Sequence, residues 1–338
     1  MRRVRFGRTG VEVPAVSVGT WPHGGPVMVG DRAVGWTGHD DELAREALVR
    51  AFERGLTHWD TADVYGNGRS EELIGSLWDR VDRDRVFLAS KVGWDPGPYG
   101  HYYHPDQIRS QLERSLRNLR TDRIDVYYLH HCDFGPDDAY LEDAVALLRE
   151  SRDRGTIRLI GLSDWDCGRI VRFADRVQPD VVQPYRNVVD DGYESSGLRR
   201  WVERNDAGVA FFSPLKHGLL LGKYARPTTF GEGDHRTHVE GFRDERLLTA
   251  LLHCRDAVVR RFQERTQPNL HALLGVILSD APTGCALVGL RNPDQVEAAA
   301  TAGQVLSDED AAWVRRLFRE AAAQAADGGA PVRSPRTA

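Results

Sequence analysis

Four polar side chains follow apolar segments and have the residue types that proton transfer to an oxygen atom requires. They are Asp60, Tyr65, Lys91 and His130. A tyrosine can donate a proton to an oxygen that is becoming an alkoxide, but its ordinary pKa of about 10 is high. A nearby cation such as Lys91 would lower that pKa, Asp60 would orient the lysine, and His130 would donate a hydrogen bond to the reacting oxygen. Because no side chain supplies a hydride, reduction of a carbonyl carbon at such a site would also require a cofactor.

Strand-like and helix-like segments alternate along the chain and determine where these four residues lie. Eight short apolar runs, the first at 15–20 and the last at 286–288, are each followed by at least one segment with helical spacing. This alternation predicts a parallel sheet, and eight units favour closure into a (β/α)8 TIM barrel. A doubly wound sheet would usually carry a G-x-G-x-x-G turn after its first strand, and the sequence has none there. Since barrel active sites form at the carboxyl ends of the strands, the four residues are expected to meet at that face.

The remaining segments complete the predicted organisation. Residues 1–325 are interpreted as one barrel domain with long loops at the C-terminal face, including 215–243, and an extra C-terminal helix over 306–325. Residues 326–338 are rich in Gly, Pro, Ala and Ser, which predicts a disordered tail.

Composition argues against several classes of function. A net charge of −5 is not typical of a protein that neutralises nucleic-acid phosphates. No apolar stretch approaches the ~20 residues that span a bilayer, so no membrane partner is expected. The cysteines form no C-x-x-C pair, which predicts reduced thiols in a cytoplasmic protein, and no spacing of ligands predicts a metal site.

Short motifs in a fixed order carry a resemblance to a known family. They are DTADVYG at 60–66, SK at 90–91, DVYYLH at 125–130, GLS at 161–163, SPL at 213–215 with GLLLGK at 218–223, and GLR at 289–291 with Gln295. Each motif is weak alone, but their joint order and spacing cover nearly the whole chain. The sequence therefore resembles the aldo-keto reductase superfamily, whose barrels bind a nicotinamide cofactor in an extended form without a Rossmann domain.

The resemblance implies an activity and a catalytic group. Asp60, Tyr65, Lys91 and His130 match the catalytic tetrad of the family, with Tyr65 as the general acid. The implied reaction is NADPH-dependent reduction of an aldehyde, ketone or keto-sugar carbonyl to an alcohol, or the reverse.

The resemblance also implies a binding site for NADP(H). Ser163 and Gln183 match contacts to the nicotinamide carboxamide, Ser213 and Leu215 start the loop over the pyrophosphate, and Arg291 matches the adenosine end. The planar fork of arginine suits the oxygens of a 2′-phosphate, which favours NADPH over NADH. The predicted cofactor-binding residues are Gly19, Thr20, Trp21, Asp60, Ser163, Asp164, Gln183, Arg186, Ser213, Leu215, Gly218, Lys223, Gly289, Arg291 and Gln295.

Two of these positions depart from the family pattern. Asp164 stands where the family usually has Asn. Arg186 stands after the sixth strand, where the family usually has a tyrosine that stacks on the nicotinamide. An ionised Asp accepts but does not donate, whereas Arg can still stack on a flat ring. The departures leave open a non-redox epimerase or lyase that acts on a sugar-like substrate with bound cofactor. A cofactor-sensing regulatory subunit is the second alternative.

Aromatic residues near the predicted strand ends indicate where a small-molecule substrate would bind. Trp21 and Trp94 follow the first and third strands, and His131 follows the fourth. Because aromatic walls suit an apolar substrate or a sugar ring, these three are the predicted substrate-binding residues.

Overall fold

Eight parallel strands close into a barrel in the computed structural model, which describes residues 1–327. Each strand pairs with the next along the chain, and the last pairs with the first through Gly289 and Gly19. The predicted (β/α)8 barrel is therefore confirmed. The strands are β1 Val16–Gly19, β2 His58–Asp60, β3 Phe87–Val92, β4 Ile124–Leu129, β5 Ile157–Asp164, β6 Val181–Pro184, β7 Gly208–Phe211 and β8 Gly284–Gly289.

Helices surround the barrel, and side chains cap several of them. Asp40 accepts a hydrogen bond from the N–H of Leu43 at the start of α1, and Asp166 accepts one from Gly168 at the start of α5. Such caps satisfy N–H groups that lack a partner in the first helical turn. The helices are α1 Asp41–Glu53, α2 Arg69–Gly75, α3 Pro105–Leu119, α4 Leu141–Asp153, α5 Cys167–Val177, α6 Gly192–Ser195, α7 Leu198–Asn205, α8 Glu245–Arg261, α9 Pro268–Leu278, α10 Pro293–Ala300 and α11 Asp308–Asp327.

The extra C-terminal helix is α11, and it lies against α8. Arg261 of α8 forms an ion pair with Asp310 at 2.7 Å, and its guanidinium lies 4.8 Å from the ring centroid of Trp313. Residues 326 and 327 belong to this helix, so the predicted start of the tail is two residues too early. The rest of the predicted tail lies outside the described residues. Within residues 1–327, no helix is long and apolar enough to cross a bilayer.

An N-terminal hairpin covers the amino end of the barrel. Its strands, Arg3–Arg5 and Glu12–Pro14, pair in antiparallel register. Between them, buried Phe6 packs against His58 and Phe87 with ring centroids 5.6 and 6.0 Å apart. Those two residues begin β2 and β3, so the hairpin closes the end opposite to the predicted site.

Two long loops cover the carboxyl end. The loop after β1 contains a second hairpin, Met28–Val29 with Arg32–Ala33. The loop after β7 contains turns of 3-10 helix at Lys216–Leu221, His235–His238 and Glu240–Phe242. The loops bond to each other, since the N–H of Gly35 donates to the carbonyl of Gly233 at 2.9 Å. They therefore form a continuous cover beside the strand ends that carry the predicted catalytic residues.

Candidate active site

Lys91 lies at the centre of the predicted catalytic group. Its buried ammonium group donates hydrogen bonds to Asp60 Oδ1 at 2.5 Å, to the Thr61 carbonyl at 2.7 Å and to the Tyr65 phenol oxygen at 3.3 Å. An ammonium group has three donors, so these three acceptors match its capacity. Burial lowers the pKa of Lys91, while the charge of Asp60 opposes the shift.

Asp60 is held through both carboxylate oxygens. While Oδ1 accepts from Lys91, Oδ2 accepts from the side-chain amide of Gln183 at 2.7 Å. Buried charges need such partners, because an unpaired carboxylate in the interior is costly. The amide nitrogen of Gln183, for which we predicted a contact to a cofactor carboxamide, is thus bonded to Asp60 here and fixes its orientation.

Tyr65 keeps its proton at neutral pH. Burial raises the pKa of its phenol well above the usual value, and the carboxylates of Asp60 and Asp63 add to the shift. The expected lowering of the pKa of Tyr65 is therefore wrong as a net effect, because burial and the two carboxylates dominate in this structure. A phenol that stays protonated is suited to donating a proton to a developing alkoxide.

His130 follows β4 and lies beside Tyr65. The two ring centroids are 5.9 Å apart and the rings are nearly perpendicular, at 78°. Burial lowers the pKa of His130 well below its usual value, and the nearby Lys91 lowers it further. The imidazole is therefore neutral at pH 7 and has one N–H to donate.

These side chains face a cavity of about 520 Å³ at the barrel mouth. Asp60, Tyr65 and His130 line it, and so do the predicted substrate-binding residues Trp21 and Trp94. Its volume lies in the range of about 300–1,000 Å³ that is common for small-molecule sites. The structure brings most of the predicted cofactor-binding residues to this wall: Gly19, Trp21, Asp60, Ser163, Gln183, Ser213, Leu215, Gly218, Lys223, Gly289, Arg291 and Gln295.

Two predicted binding residues instead support the loops around the cavity. Thr20 is buried, and its hydroxyl donates to the carbonyl of Asp60 at 3.0 Å. His131 hydrogen-bonds to the Gly93 carbonyl through Nε2 and packs edge-on against Tyr102, with ring centroids 4.6 Å apart. Neither residue is among those that line the cavity.

The two positions that depart from the family pattern also point away from the cavity. Buried Asp164 accepts hydrogen bonds from the N–H groups of Cys132 at 2.7 Å and Asp166 at 2.8 Å. Buried Arg186 pairs with Asp191 and Asp280, both at 2.8 Å. Both side chains are engaged in the surrounding structure, so the structure does not bring them to the cavity wall with the other predicted cofactor-binding residues.

Phe212 is an aromatic residue of the cavity wall that the sequence analysis missed. It directly follows β7 and precedes Ser213, and it packs edge-on against Trp165 with ring centroids 4.8 Å apart. We expected the residue that stacks on the nicotinamide ring to follow β6, whereas the aromatic side chain of Phe212 lines the cavity after β7. The signal was present, since Phe212 stands next to the SPL motif.

A cluster of aromatic and histidine rings from the two loops was also missed. Trp36, His217 and His235 surround Trp21, with ring centroids 5.8, 5.7 and 4.8 Å from it. Burial, with a contribution from the cation of Arg32, lowers the pKa of His235 to about 4. Trp36 and His235 lie outside the named motifs, so no local pattern could place them, whereas His217 stands between SPL and GLLLGK.

Backbone strain marks the segment after β7. Ser213, Lys216 and His217 have φ values of 54°, 46° and 58°, in the left-handed region that side chains disfavour. An ion pair of 2.7 Å between Lys216 and Asp190 holds the segment in place. Strain of this kind, kept by surrounding contacts, is concentrated at functional segments.

The charges of the cavity fit an anionic ligand such as a nicotinamide dinucleotide. Asp60 is the only carboxylate among the described lining residues, and Lys91 neutralises it. Lys223 and Arg291 also line the cavity and form no ion pair with any residue in 1–327. Gln295 supports Arg291, because its Oε1 accepts the Arg291 N–H at 2.8 Å. Cations of this kind are typical partners of phosphate oxygens.

Comparisons with known proteins identify the family of the chain. Residues 18–318 match the Aldo/keto reductase family, and the chain belongs to this family. Aldo-keto reductase YhdN of Bacillus subtilis is 30% identical over 310 residues, which are 89% of each chain. The NADH-specific methylglyoxal reductase of Escherichia coli is 28% identical over 94% of this chain and 98% of the relative. A solved aldo/keto reductase from Klebsiella pneumoniae, in complex with NADP and acetate, is 25% identical with a TM-score of 0.68 and covers 94% of this chain and 95% of that one.

Proposed function

We propose that this aldo/keto reductase is an NADP(H)-dependent carbonyl reductase in which Tyr65 is the general acid. The observation that carries the proposal is the position of Lys91, 2.5 Å from Asp60 and 3.3 Å from the Tyr65 phenol at the cavity wall. Membership of the family supports carbonyl reduction as the reaction class. Cytoplasmic localisation stays a prediction.

The chain's own residues would handle the proton in this reaction. A bound nicotinamide would supply the hydride to the carbonyl carbon. Tyr65 would donate its proton to the carbonyl oxygen, and Lys91 would stabilise the phenolate that remains. Neutral His130 would orient the oxygen through its N–H, and Asp60 would keep Lys91 in place.

The residues that would hold the cofactor lie along the cavity. Ser163 and Phe212 would contact the nicotinamide end, and Lys223 and Arg291 the phosphates. The relatives do not agree on the cofactor, since one is named NADH-specific and another was solved with NADP. We choose NADPH because Arg291 offers an unpaired guanidinium to a 2′-phosphate.

The non-redox alternative gains no support from the residues that suggested it. It depended on Asp164 and Arg186, and both side chains are bonded outside the cavity. A regulatory subunit gains no support either, since all four tetrad residues are in contact around Lys91 and Tyr65.

The test is a titration of wild type, Tyr65→Phe and Arg291→Gln with NADPH and NADH, followed by tryptophan fluorescence, together with aldehyde turnover. We expect Tyr65→Phe to keep its Kd for NADPH and to lose about 100- to 10,000-fold in kcat, as expected for a general acid. Arg291→Gln should weaken NADPH by about ten-fold or more, with little effect on NADH, because one charge-assisted phosphate contact is lost.

A matched control is Tyr140→Phe, which removes a hydroxyl outside the cavity and should keep wild-type kcat and Kd. Wild-type turnover by Tyr65→Phe would overturn the role of Tyr65. No binding of either nucleotide would overturn the reductase proposal. Product formation without matching loss of NADPH absorbance would favour non-redox chemistry.

A further inference from the structure

The described wall of the cavity carries more cations than a cofactor and Asp60 account for. Asp60 is already neutralised by Lys91 at 2.5 Å. The cationic side chains that line the cavity are Arg32, Lys223, Arg236, Arg255 and Arg291. An excess of one charge in a cleft with apolar walls attracts ligands of the opposite charge.

Two of these cations have partners within the protein. Arg236 pairs with Asp234 at 2.6 Å, and Arg255 pairs with Asp256 at 2.8 Å. Lys223 and Arg291 are the cations that the proposed function assigns to cofactor phosphates. Arg32 is left over, because in the described part of the chain its side chain makes no hydrogen bond or ion pair.

Arg32 is at the same side of the cavity as the tetrad. Its guanidinium carbon lies 5.9 Å from the ring centroid of Trp94, and Trp94 packs edge-on against His130 at 6.0 Å. One indole ring therefore separates the guanidinium from the imidazole that faces the reacting oxygen. The phosphate-binding candidates Lys223 and Arg291 instead follow β7 and β8.

The hairpin that carries Arg32 is fixed over the cavity. The indole N–H of Trp21 donates to the Val34 carbonyl at 2.7 Å, and the N–H of His235 donates to the Gly35 carbonyl at 2.9 Å. Because these bonds come from two other segments of the mouth, the position of Arg32 does not depend on the hairpin alone.

The surroundings of Arg32 leave its charge uncompensated. His235 is neutral at pH 7, since burial and the cation of Arg32 lower its pKa to about 4. Trp21, Trp36 and Trp94, which line this part of the cavity, carry no negative charge. A guanidinium beside an indole face keeps its planar fork free for two parallel hydrogen bonds to a carboxylate or a phosphate.

We infer that Arg32 binds the acidic group of the substrate, so that the preferred substrate is a small carbonyl compound bearing a carboxylate or a phosphate. The inference rests on the proposed function and specifies its substrate class. The acidic group would lie at Arg32 beside Trp94, and the carbonyl oxygen at Tyr65 and His130.

The test compares kcat/KM for matched acidic and neutral aldehydes. The carboxylate pair is 4-carboxybenzaldehyde and methyl 4-formylbenzoate, and the phosphate pair is glyceraldehyde 3-phosphate and glyceraldehyde. We expect wild type to prefer the acidic member of at least one pair, and the pair that shows the preference identifies the group. Arg32→Gln should reduce that preference by about ten- to one hundred-fold, mainly through KM, because a charge-assisted contact is lost. Arg32→Lys should retain part of it.

A matched control separates local recognition from net charge. Arg158→Gln removes the same charge at an exposed position of β5, outside the cavity, and should leave the preference unchanged. Turnover of neutral aldehydes without a preference in either pair, or a preference that survives Arg32→Gln, would overturn the inference and leave the reductase proposal standing. Failure to reduce every aldehyde would instead overturn the proposed function, and the inference with it.

Discussion

Two buried cations, one within β3 and one just after β6, serve different purposes in the same barrel. Lys91 extends from β3 to the cavity wall, shares the carboxylate of Asp60 and donates a hydrogen bond to Tyr65. Arg186 follows β6 and points away from the cavity into the surrounding helices. Both are almost inaccessible to solvent, so burial alone does not reveal which cation is catalytic.

The Arg186 cluster joins three parts of the chain. The guanidinium forms ion pairs with Asp191 and Asp280, both at 2.8 Å, and donates to the Ile277 carbonyl at 3.0 Å. The rings of Tyr193 and Phe211 lie 4.7 and 4.9 Å from it. The loop after β6 is thereby attached to the carboxyl end of α9.

The residue type at each position, lysine at 91 and arginine at 186, suits the different role of each cation. Burial lowers the pKa of Lys91, against the charge of Asp60, and its compact ammonium group can serve a carboxylate and a phenol together. Burial would also lower the pKa of Arg186, but Asp280 and Asp191 hold it above its usual value. An ammonium group that shares one carboxylate and donates to a phenol suits chemistry, whereas a planar fork between two carboxylates suits attachment.

Exchanging the cation at the catalytic position should have the largest effect. We expect Lys91→Arg to lose about 100- to 1,000-fold in kcat, because a planar guanidinium cannot replace the ammonium between Asp60 and Tyr65. The measurement is NADPH oxidation at saturating aldehyde, with a thermal melt to verify folding. Arg158→Lys, a cation exchange at an exposed position of β5 outside the cavity, is the control and should keep wild-type kcat. Equal kcat in Lys91→Arg and wild type would remove the distinction between the two clusters.

The reverse exchange should affect stability and spare the chemistry. We expect Arg186→Lys to lower the free energy of unfolding by about 3 kcal/mol, since one ammonium group cannot reproduce the forked contacts of the buried guanidinium with the half-buried carboxylates of Asp191 and Asp280. Chemical denaturation measures this, and kcat per folded molecule should match wild type. The control is Arg172→Lys, at an exposed ion pair with Asp138, where a change within about 0.5 kcal/mol is expected. A normal stability with a reduced kcat would return Arg186 to the cofactor site.

Local patterns were sufficient for the barrel and the tetrad. Strand-like runs and helical periodicity have short range, so the eight alternating units of the barrel could be predicted without knowledge of any long-range contact. The side chains of Asp60, Lys91 and His130 share a face because parallel strands end at one edge, which the alternation of elements implies.

The features that the sequence did not indicate depend on contacts between distant parts of the chain and on burial. The ion pairs of Arg186 could not be predicted from local patterns, because one partner, Asp280, lies 94 residues further along the chain. The hairpin of Arg32 carries no motif, and its position depends on bonds to Trp21 and to the loop after β7. The raised pKa of Tyr65 depends on burial, which motif spacing does not measure.

His58 gives a third way to bury a titratable group, without any counter-charge. It begins β2, its Nδ1 is 3.0 Å from Ser17 Oγ, and burial with the nearby Lys91 lowers its pKa to about 3. The unfolded chain therefore binds a proton below about pH 6.5 that the folded chain rejects, so stability is present above that pH and falls as the pH decreases. Between about pH 6 and pH 5, we expect the unfolding free energy of wild type to fall more steeply than that of His58→Gln, by about 1 kcal/mol per pH unit.

Urea denaturation across this range measures the two slopes. The His58→Gln variant is expected to be less stable at neutral pH, but only the difference in slope reports the proton that the folded chain excludes. His253→Gln, at an exposed position of α8, should keep the wild-type slope. Parallel lines for wild type and His58→Gln would mean that the folded chain takes up the proton at position 58. The interior near Lys91 would then accept a second positive charge. In that case the electrostatic argument that separates Lys91 from Arg186 would no longer hold.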